Sequence, residues 1–168
     1  MIKDDLDWKI IELLQVNSRL SYAFIGRKIG LSASAVAERV QRLEDTDVIK
    51  GYSVMINPKK VGLPLSAYIS ISINSANFNA FLNSLCEFPE VIQCSRVTGN
   101  DCLIMKCTLM DSSHLENVID RLAKYGNPTT LVVLSDIIIN GKIRKTMLTT
   151  PCEETSKQFD FASLNRQF

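Results

Sequence analysis

Apolar residues recur at helical spacing in three short stretches near the start of the chain. The stripe residues are Leu6, Ile10, Leu13 and Leu14, then Tyr22, Ile25 and Ile29, and then Val36, Val40 and Leu43. Asp5 is placed to cap the first stretch, with Asp7 in its first turn. Ser21 and Ser32 are placed to cap the other two, and Gly30 ends the second. Three short helices with a tight "GLS" turn between the last two have the dimensions of a helix-turn-helix.

The third stretch presents small and polar side chains opposite its apolar stripe. At about 100° per residue, Ser34, Glu38 and Arg42 point away from the stripe, and Ala35 and Arg39 lie on one flank. Short side chains let a helix enter the major groove of DNA, which is about 12 Å wide, and the two arginines are placed to hold phosphates. Arginines are also ordinary on a solvated helix, so it is the three-helix context that favours DNA binding. The predicted DNA-binding residues are Ser32, Ser34, Ala35, Glu38, Arg39 and Arg42.

The segment that follows alternates between apolar and polar positions. Tyr52, Val54 and Ile56 take one side, and the chain turns at Asn57-Pro58. This pattern predicts an extended strand leaving the helical unit. We therefore expect a winged-helix-like DNA-binding domain at residues 1–50 and a hinge strand with a linker at residues 51–63.

From residue 64 the pattern changes to strands and helices in a regular order. Leu65, Ala67, Ile69, Ile71 and Ile73 alternate with polar residues, as in a half-buried strand. A helical stripe, the strands "VIQCSRV" and "CLIMKCTLM", a second helical stripe and the strand "TLVVLSDIII" follow. Strand-helix-strand-strand-helix-strand predicts a ferredoxin-like βαββαβ domain over residues 64–140 and an α+β protein overall. The sheet face that carries Ser66, Tyr68, Ser70 and Ser72 is left uncovered and available to a second copy of the chain.

Composition excludes several classes without choosing a function. The chain has 168 residues, 46% hydrophobic and 22% charged, which is typical of a globular protein. No apolar run approaches the roughly 20 residues of a membrane-spanning helix, and the start "MIKDDLDWK" is acidic, so a cytoplasmic protein without a membrane contact is expected. Five cysteines without a C-x-x-C pair or a histidine cluster indicate reduced thiols, and neither a metal nor a cofactor is expected.

The motifs along the first two thirds of the chain match one family. The stretch "LSASAVAERVQRLEDTDVIKGYSVMINPKKVG", joined to a ferredoxin-like pattern with "GND" between its middle strands, resembles the Lrp/AsnC (feast/famine) transcription regulators. The resemblance covers about residues 5–140. It implies a protein that binds double-stranded DNA as a homodimer, that assembles into an octamer or similar ring, and that responds to an amino acid held between dimers. One departure is Asp47, where the family usually has glycine; aspartate tolerates a left-handed backbone, so only a small strain is expected.

The resemblance also implies an effector site in the loop "VTGNDCL". It makes Thr98, Gly99, Asn100 and Asp101 the candidates, with Thr130, and more weakly Thr129, contributed by a neighbouring subunit. Glycine lets backbone N–H groups approach a ligand carboxylate, and an aspartate can accept hydrogen bonds from its ammonium group. Gly-Asn-Asp is also ordinary hairpin-turn chemistry, and from the residues alone a plain turn is the stronger interpretation.

No catalytic constellation is apparent, and the protein is not expected to be an enzyme. His114 is expected to be exposed or to cap a helix. Two alternatives remain: a DNA-compacting architectural protein without an effector, and, less favoured, an enzyme similar to the tetrapyrrole decarboxylases that share this two-part architecture. Residues 61–140 hold four Lys/Arg against seven Asp/Glu, a poor cradle for a polyanionic tetrapyrrole.

The C-terminal residues 141–168 begin with "GKIRKTM", which could add an edge strand, and then lose all periodicity. This tail is too apolar for a freely solvated end, because it carries Phe159, Phe161, Leu164 and Phe168. We expect part of it to dock on this chain or on a partner subunit.

Overall fold

A computed structural model describes residues 2–138 and 141–148, and the chain divides into two compact units. The first unit comprises Met1–Ser53 together with the residues from Asn140 onward, and the second unit comprises Val54–Ile139. No helix in the described ranges is long and apolar enough to cross a bilayer.

The first unit consists of three helices, as the periodicity predicts. They are α1 (Asp5–Val16), α2 (Tyr22–Ile29) and α3 (Ala33–Asp45). The caps predicted at Ser21 and Ser32 are confirmed, since each hydroxyl accepts a backbone N–H of the first turn. The cap predicted at Asp5 is wrong by one residue: Asp4 has the extended backbone and accepts from the amides of Leu6 and Asp7.

The core of this unit is built from the predicted stripes. The buried apolar residues are Ile10, Leu14, Ile25, Val36, Val40 and Leu43. Gly26 lies where α2 meets the turn, and a Cβ at this position would stand only 2.4 Å from the carbonyl oxygen of Leu31. Glycine at this position therefore permits the close approach that sets α3 against α2.

Asp47 follows α3 in the left-handed backbone region, with φ of 55°. It is the one non-glycine residue with positive φ among the described residues. The expectation that aspartate takes the conformation usually given to glycine is confirmed.

The predicted hinge strand is not among the strands of the described residues. Residues 51–57 carry no regular secondary structure, and a 3₁₀ turn follows at Pro58–Val61. Val54 is 86% exposed, and Met55 and Ile56 are also exposed. The alternation of apolar and polar residues was therefore not sufficient to predict a regular strand here.

The second unit has the predicted ferredoxin-like order. Its elements are β1 (Leu65–Ser72), α4 (Ser75–Ser84), β2 (Val91–Arg96), β3 (Leu103–Leu109), α5 (Ser112–Ala123) and β4 (Asn127–Val132). The sheet order is β2-β3-β1-β4 with every pair antiparallel. The central strand alternates as predicted, with Ala67, Ile69 and Ile71 fully buried against side chains that include Phe81, Met105 and Leu122.

The last strand was predicted at residues 130–139 and is found earlier. Its ladder runs from Asn127 opposite Ser72 to Val132 opposite Ala67. Because β1 begins at Leu65, β4 comes to the end of its partner here, and the apolar residues that follow, Leu134, Ile137 and Ile138, are exposed. The apolar residues of this segment predicted a strand, but the length of the neighbouring strand β1 determines where β4 ends.

The start of the C-terminal segment also differs from its prediction. Residues 141–144 form no strand, and a 3₁₀ turn occupies Lys145–Leu148. The edge strand proposed from "GKIRKTM" is therefore wrong. Residues 149–168, for which docking was predicted, lie outside the described residues.

Candidate nucleic-acid interface and effector loop

The outer surface of α3 carries the predicted small and polar side chains. Ser34, Glu38, Gln41 and Asp45 are exposed, and Ala35 is half-buried. The amide of Gln41 donates to Asp45 Oδ1 over 2.9 Å, so the C-terminal half of this face is internally bonded. The N-terminal half of this face remains accessible, as entry into a groove of DNA would require.

Ser32 lies at the start of this face with its hydroxyl already engaged. Its Oγ accepts from the amide of Ala35 at 3.1 Å and lies 3.0 Å from the hydroxyl of Ser34. The predicted DNA-binding residues Ser32 and Ser34 are thus brought together, and Ser32 also holds the helix N-terminus in place.

Arg39 and Arg42, predicted to hold phosphates, point toward α1. The Nη1 of Arg39 donates to Asp7 Oδ1 over 2.7 Å and to both carboxylate oxygens of Asp4 over 2.9 Å. The Nη2 of Arg42 donates to Asp7 Oδ1 and Oδ2 over 2.8 and 2.9 Å. Both guanidinium groups keep partial exposure, 21% and 23%, whereas the side chain of Asp7 has none.

Electrostatics explain why a carboxylate can be buried at this point. Burial alone would raise the pKa of Asp7, but hydrogen bonds from the amide of Lys3, Arg39 and Arg42 outweigh it and hold the pKa below its ordinary value of 3.8. The hydrogen bonds that Arg39 donates to Asp7 and Asp4 in turn raise the pKa of Arg39. Asp7 is therefore ionised at neutral pH and fixes both arginines.

This role of Asp7 was missed in the sequence, where the residue was assigned only to the positive end of the helix dipole. The available signal was its spacing. Asp7, Ile10 and Leu14 occupy i, i+3 and i+7 and thus share the buried face of α1. A charged residue on a buried face needs a partner of opposite charge, and Arg39 and Arg42 are spaced to supply one.

Other cations of the first unit stand free for phosphate contacts. Exposed side chains that make no ion pair with any described residue are Lys3, Lys9, Arg19, Arg27, Lys28 and Lys50. Lys28 lies over the ring of Phe24 at 5.8 Å. These residues extend the positive surface beyond the two arginines that were singled out in the sequence.

The predicted effector loop connects β2 to β3. The amide of Val97 donates to the carbonyl of Cys102 over 3.0 Å and closes the loop. Gly99 has φ of 126°, which L side chains rarely adopt, so the turn depends on glycine. Thr98, Gly99 and Asn100 are exposed, and Asp101 is half-buried. Four of the five effector candidates are thus contiguous at the surface.

Thr130 lies on β4 opposite Ile69, half-buried on the core side, whereas Thr129 is exposed opposite Ser70. No hydrogen bond among the described residues joins the side chain of Thr130 to the loop.

His114 is half-buried in the first turn of α5, where its ring accepts a hydrogen bond from a backbone amide just before the helix and contacts Glu90. The amide of Met110 donates to His114 Nδ1 over 3.4 Å, so the proton is assigned to Nε2, which donates to Glu90 Oε1 over 3.1 Å. Arg121 donates to the same oxygen over 2.9 Å. Burial would raise the pKa of Glu90, but these hydrogen bonds keep it lowered.

Four of the five cysteines lie among the described residues, and Cys107 is the one of these four that is buried, so the mostly buried, reduced thiols that the cysteine pattern predicts are only partly found. Burial raises the pKa of Cys94, and it raises the pKa of Cys107 to about 11. Cys86 is exposed and Cys102 is half-buried. Within residues 2–138 and 141–148 no group of His, Cys, Asp or Glu side chains could hold a metal ion.

Comparisons with known proteins agree with this architecture. An AsnC-type helix-turn-helix domain matches residues 4–44, and an Lrp/AsnC ligand binding domain matches residues 66–143. The HTH-type transcriptional regulator LrpC of Bacillus subtilis is 34% identical over 134 residues, which are 80% of this chain and 93% of that protein. Its solved structure superimposes with a TM-score of 0.78, covering 82% of this chain and 99% of the other.

Two further structures carry bound methionine. A transcriptional regulator of Neisseria meningitidis in complex with L-Met has 27% identity and a TM-score of 0.81, covering 88% of this chain and 99% of its own. A feast or famine regulatory protein of Mycobacterium tuberculosis complexed with L-methionine has 29% identity and a TM-score of 0.75, covering 81% and 95%. The chain therefore belongs to the Lrp/AsnC family of helix-turn-helix transcriptional regulators.

Proposed function

We propose that this regulator reads double-stranded DNA with the N-terminal half of α3. The observation that carries the proposal is the exposed surface formed by Ser34, Ala35 and Glu38, whose short N-terminal side chains permit close approach to base edges. Ser32 holds the start of the helix, and free cations of the same unit contact phosphates.

Arg39 has two roles in this proposal. Its three hydrogen bonds to carboxylates all use Nη1, so Nη2 has no partner among the described residues. Asp7 fixes the guanidinium at the edge of α3, and Nη2 contacts a phosphate. Arg42 is fixed by the same carboxylate and acts mainly by holding α3 against α1.

We further propose that the loop at Thr98–Asp101 binds an amino acid. The support is threefold: the match to a ligand-binding domain, the two methionine-bound relatives, and a loop that exposes backbone N–H groups next to a half-buried carboxylate. Thr130 of a neighbouring subunit completes the pocket in this proposal. The free carboxylate of the ligand faces the loop amides, and its ammonium group faces Asp101.

The active form in this proposal is a homodimer that assembles into an octamer or a similar ring. Two surfaces support self-association. Residues 51–57 form no regular strand among the described residues and expose Val54 and Ile56, and the uncovered sheet face exposes Tyr68 and Leu131, so both surfaces could contact a second copy. A regulator of this kind acts in the cytoplasm, where bacterial and archaeal DNA is located.

The test is a fluorescence-anisotropy titration against the DNA upstream of the regulator's own gene, with an unrelated fragment as control, at several salt concentrations. We expect a preference for the upstream DNA that persists as salt rises, and a shift in affinity when an amino acid from a panel is added. Equal binding to both fragments without any amino-acid response would replace this function with an architectural one. Absence of DNA binding would contradict both.

A further inference from the structure

The first unit has an apolar groove between α1 and α2. The α1–α2 groove has a volume of about 370 Å³ and is lined by Lys9, Glu12, Leu13, Val16, Lys28 and Ile29. Val16 is 61% exposed although it ends an otherwise well-packed helix. Lys9 and Lys28 give the lining a net positive charge against its one acid, Glu12. Such a surface fits an apolar segment that carries acidic residues.

The structure shows which part of the chain arrives there. The side-chain amide of Gln15 donates to the carbonyl of Ile143 over 2.9 Å and accepts from the amide of Ile143 over 2.8 Å. Lys145 then pairs with Asp5. Asp5, Lys9 and Val16 are spaced i, i+4 and i+11, which places them on one face of α1. The described part of the C-terminal segment thus ends on the same helix face that forms the groove.

The chemistry of the remaining tail matches the groove. Residues 149–168 hold Glu153, Glu154 and Asp160 against two cations, and they also hold Phe159 and Phe161. Fully extended, this segment can span about 70 Å, whereas α1 is about 18 Å long, so its reach is ample. Both family models end at or before residue 143, so neither of the family's domains accounts for this extension.

We propose that the α1–α2 groove is the docking site for the chain's own C-terminal extension, residues 149–168. Phe159 and Phe161 cover Val16 and Leu13, and the acidic residues of the extension face Lys9 and Lys28. Residues 141–148 act as the strap that delivers the extension to the helix. Docking adds a fourth packing element to a three-helix unit whose own core is small.

The experiment is zero-length carbodiimide crosslinking of the full-length protein, read by mass spectrometry. We expect amide links from Lys9 or Lys28 to Glu153, Glu154 or Asp160, and far fewer links to Lys50, an exposed lysine of the same unit outside the groove. Chains labelled with ¹⁴N and ¹⁵N are mixed and allowed to exchange subunits beforehand. Single-isotope links support docking on the same chain, and mixed-isotope links would place the extension on a second copy and overturn the proposal.

A substitution pair tests the apolar contact. The double variant Phe159→Ser with Phe161→Ser removes two aromatic anchors and is expected to lower the yield of these links about tenfold. Leu134→Ser removes an aliphatic side chain that is 94% exposed in the other unit and should leave the yield unchanged. An unchanged yield in the double variant, or no links in the unaltered protein, would overturn the proposal.

Discussion

Arg39 Nη1 lies 2.7 Å from Oδ1 of Asp7, a carboxylate with no solvent exposure. The contact joins the first helix to α3, the helix proposed to face DNA. Arg39, which the sequence assigns to phosphate binding, therefore also belongs to the framework of the domain. The position of the proposed recognition surface depends on a buried acidic residue of another helix.

Asp7→Ala is expected to destabilise the first unit by about 2–4 kcal/mol, because it leaves Arg42 without its carboxylate partner and Arg39 with Asp4 alone. Partial exposure of both arginines keeps the loss below that of a fully buried pair. Urea unfolding followed by circular dichroism measures it. Asp45→Ala, an exposed acid on α3, serves as the control and should cost less than about 0.5 kcal/mol. Equal stability of the two variants would contradict a framework role for Asp7.

Stability in acid should depend on the same carboxylate. The pKa of Asp7 is lower in the folded chain than its ordinary value of 3.8, so the unfolded chain binds its proton first as pH falls. The stabilisation is therefore fully present above pH 3.8 and is lost as pH falls through the folded pKa. Glu90 contributes with the same sign, below its ordinary value of 4.5.

We expect the free energy of unfolding to drop as pH falls below about 4, and the drop to be smaller in Asp7→Asn than in the unaltered protein. Urea titrations at a series of pH values give the two curves. Parallel curves would show that the pKa of Asp7 is not lowered by its arginines in the folded chain.

Arg39→Ala should weaken DNA binding about three- to tenfold and should lower the slope of log affinity against log salt by about one, since one phosphate contact is lost. Its loss also removes one partner of Asp7, so binding must be measured under conditions where circular dichroism shows the variant to be folded. Lys124→Ala, which removes an exposed cation of the second unit, is the control and should leave both quantities unchanged. Unchanged affinity and salt slope in a folded Arg39→Ala protein would leave Arg39 with the framework role alone.

Asp101→Ala should abolish the response to an amino acid and leave DNA affinity within about twofold, because only the ammonium contact of the ligand is removed. Titration of DNA with and without the responding amino acid measures both quantities. Asp136→Ala, an exposed acid of the same unit, should keep the response. If the response survives in Asp101→Ala, the pocket lies elsewhere in the domain.

Periodicity was enough to predict the helices and most of the sheet, because each apolar stripe had one face to bury. Val36, Val40 and Leu43 were predicted in this way and are all fully buried. The pattern could not show that residues 51–57 form no regular strand among the described residues, nor that β4 ends near the start of β1. Both depend on neighbours that are distant in sequence.

The residues of the candidate sites also divide into those that local spacing predicts and those that depend on contacts distant in sequence. Local spacing placed Ser34 and Glu38 on the outer face of α3 and Asp101 in a loop. The pairing of Asp7 with Arg39 is a contact across 32 positions, and only the packing of α1 against α3 creates it. The helical period places Asp7 on a buried face and so indicates that it needs a partner, but it does not identify which cation supplies it.

Asp47→Gly is expected to raise stability by about 0.5–1 kcal/mol. Asp47 has φ of 55°, a conformation that costs an L residue energy and costs glycine none, although glycine loses more backbone entropy on folding. The strain relief is expected to exceed the entropy term because Asp47 is exposed and its side chain makes no hydrogen bond among the described residues. Asp47→Ala is the matched control: it also removes the carboxylate but retains the Cβ, so it should not stabilise the protein. Urea midpoints that move together in the two variants would assign the effect to charge and contradict the backbone argument.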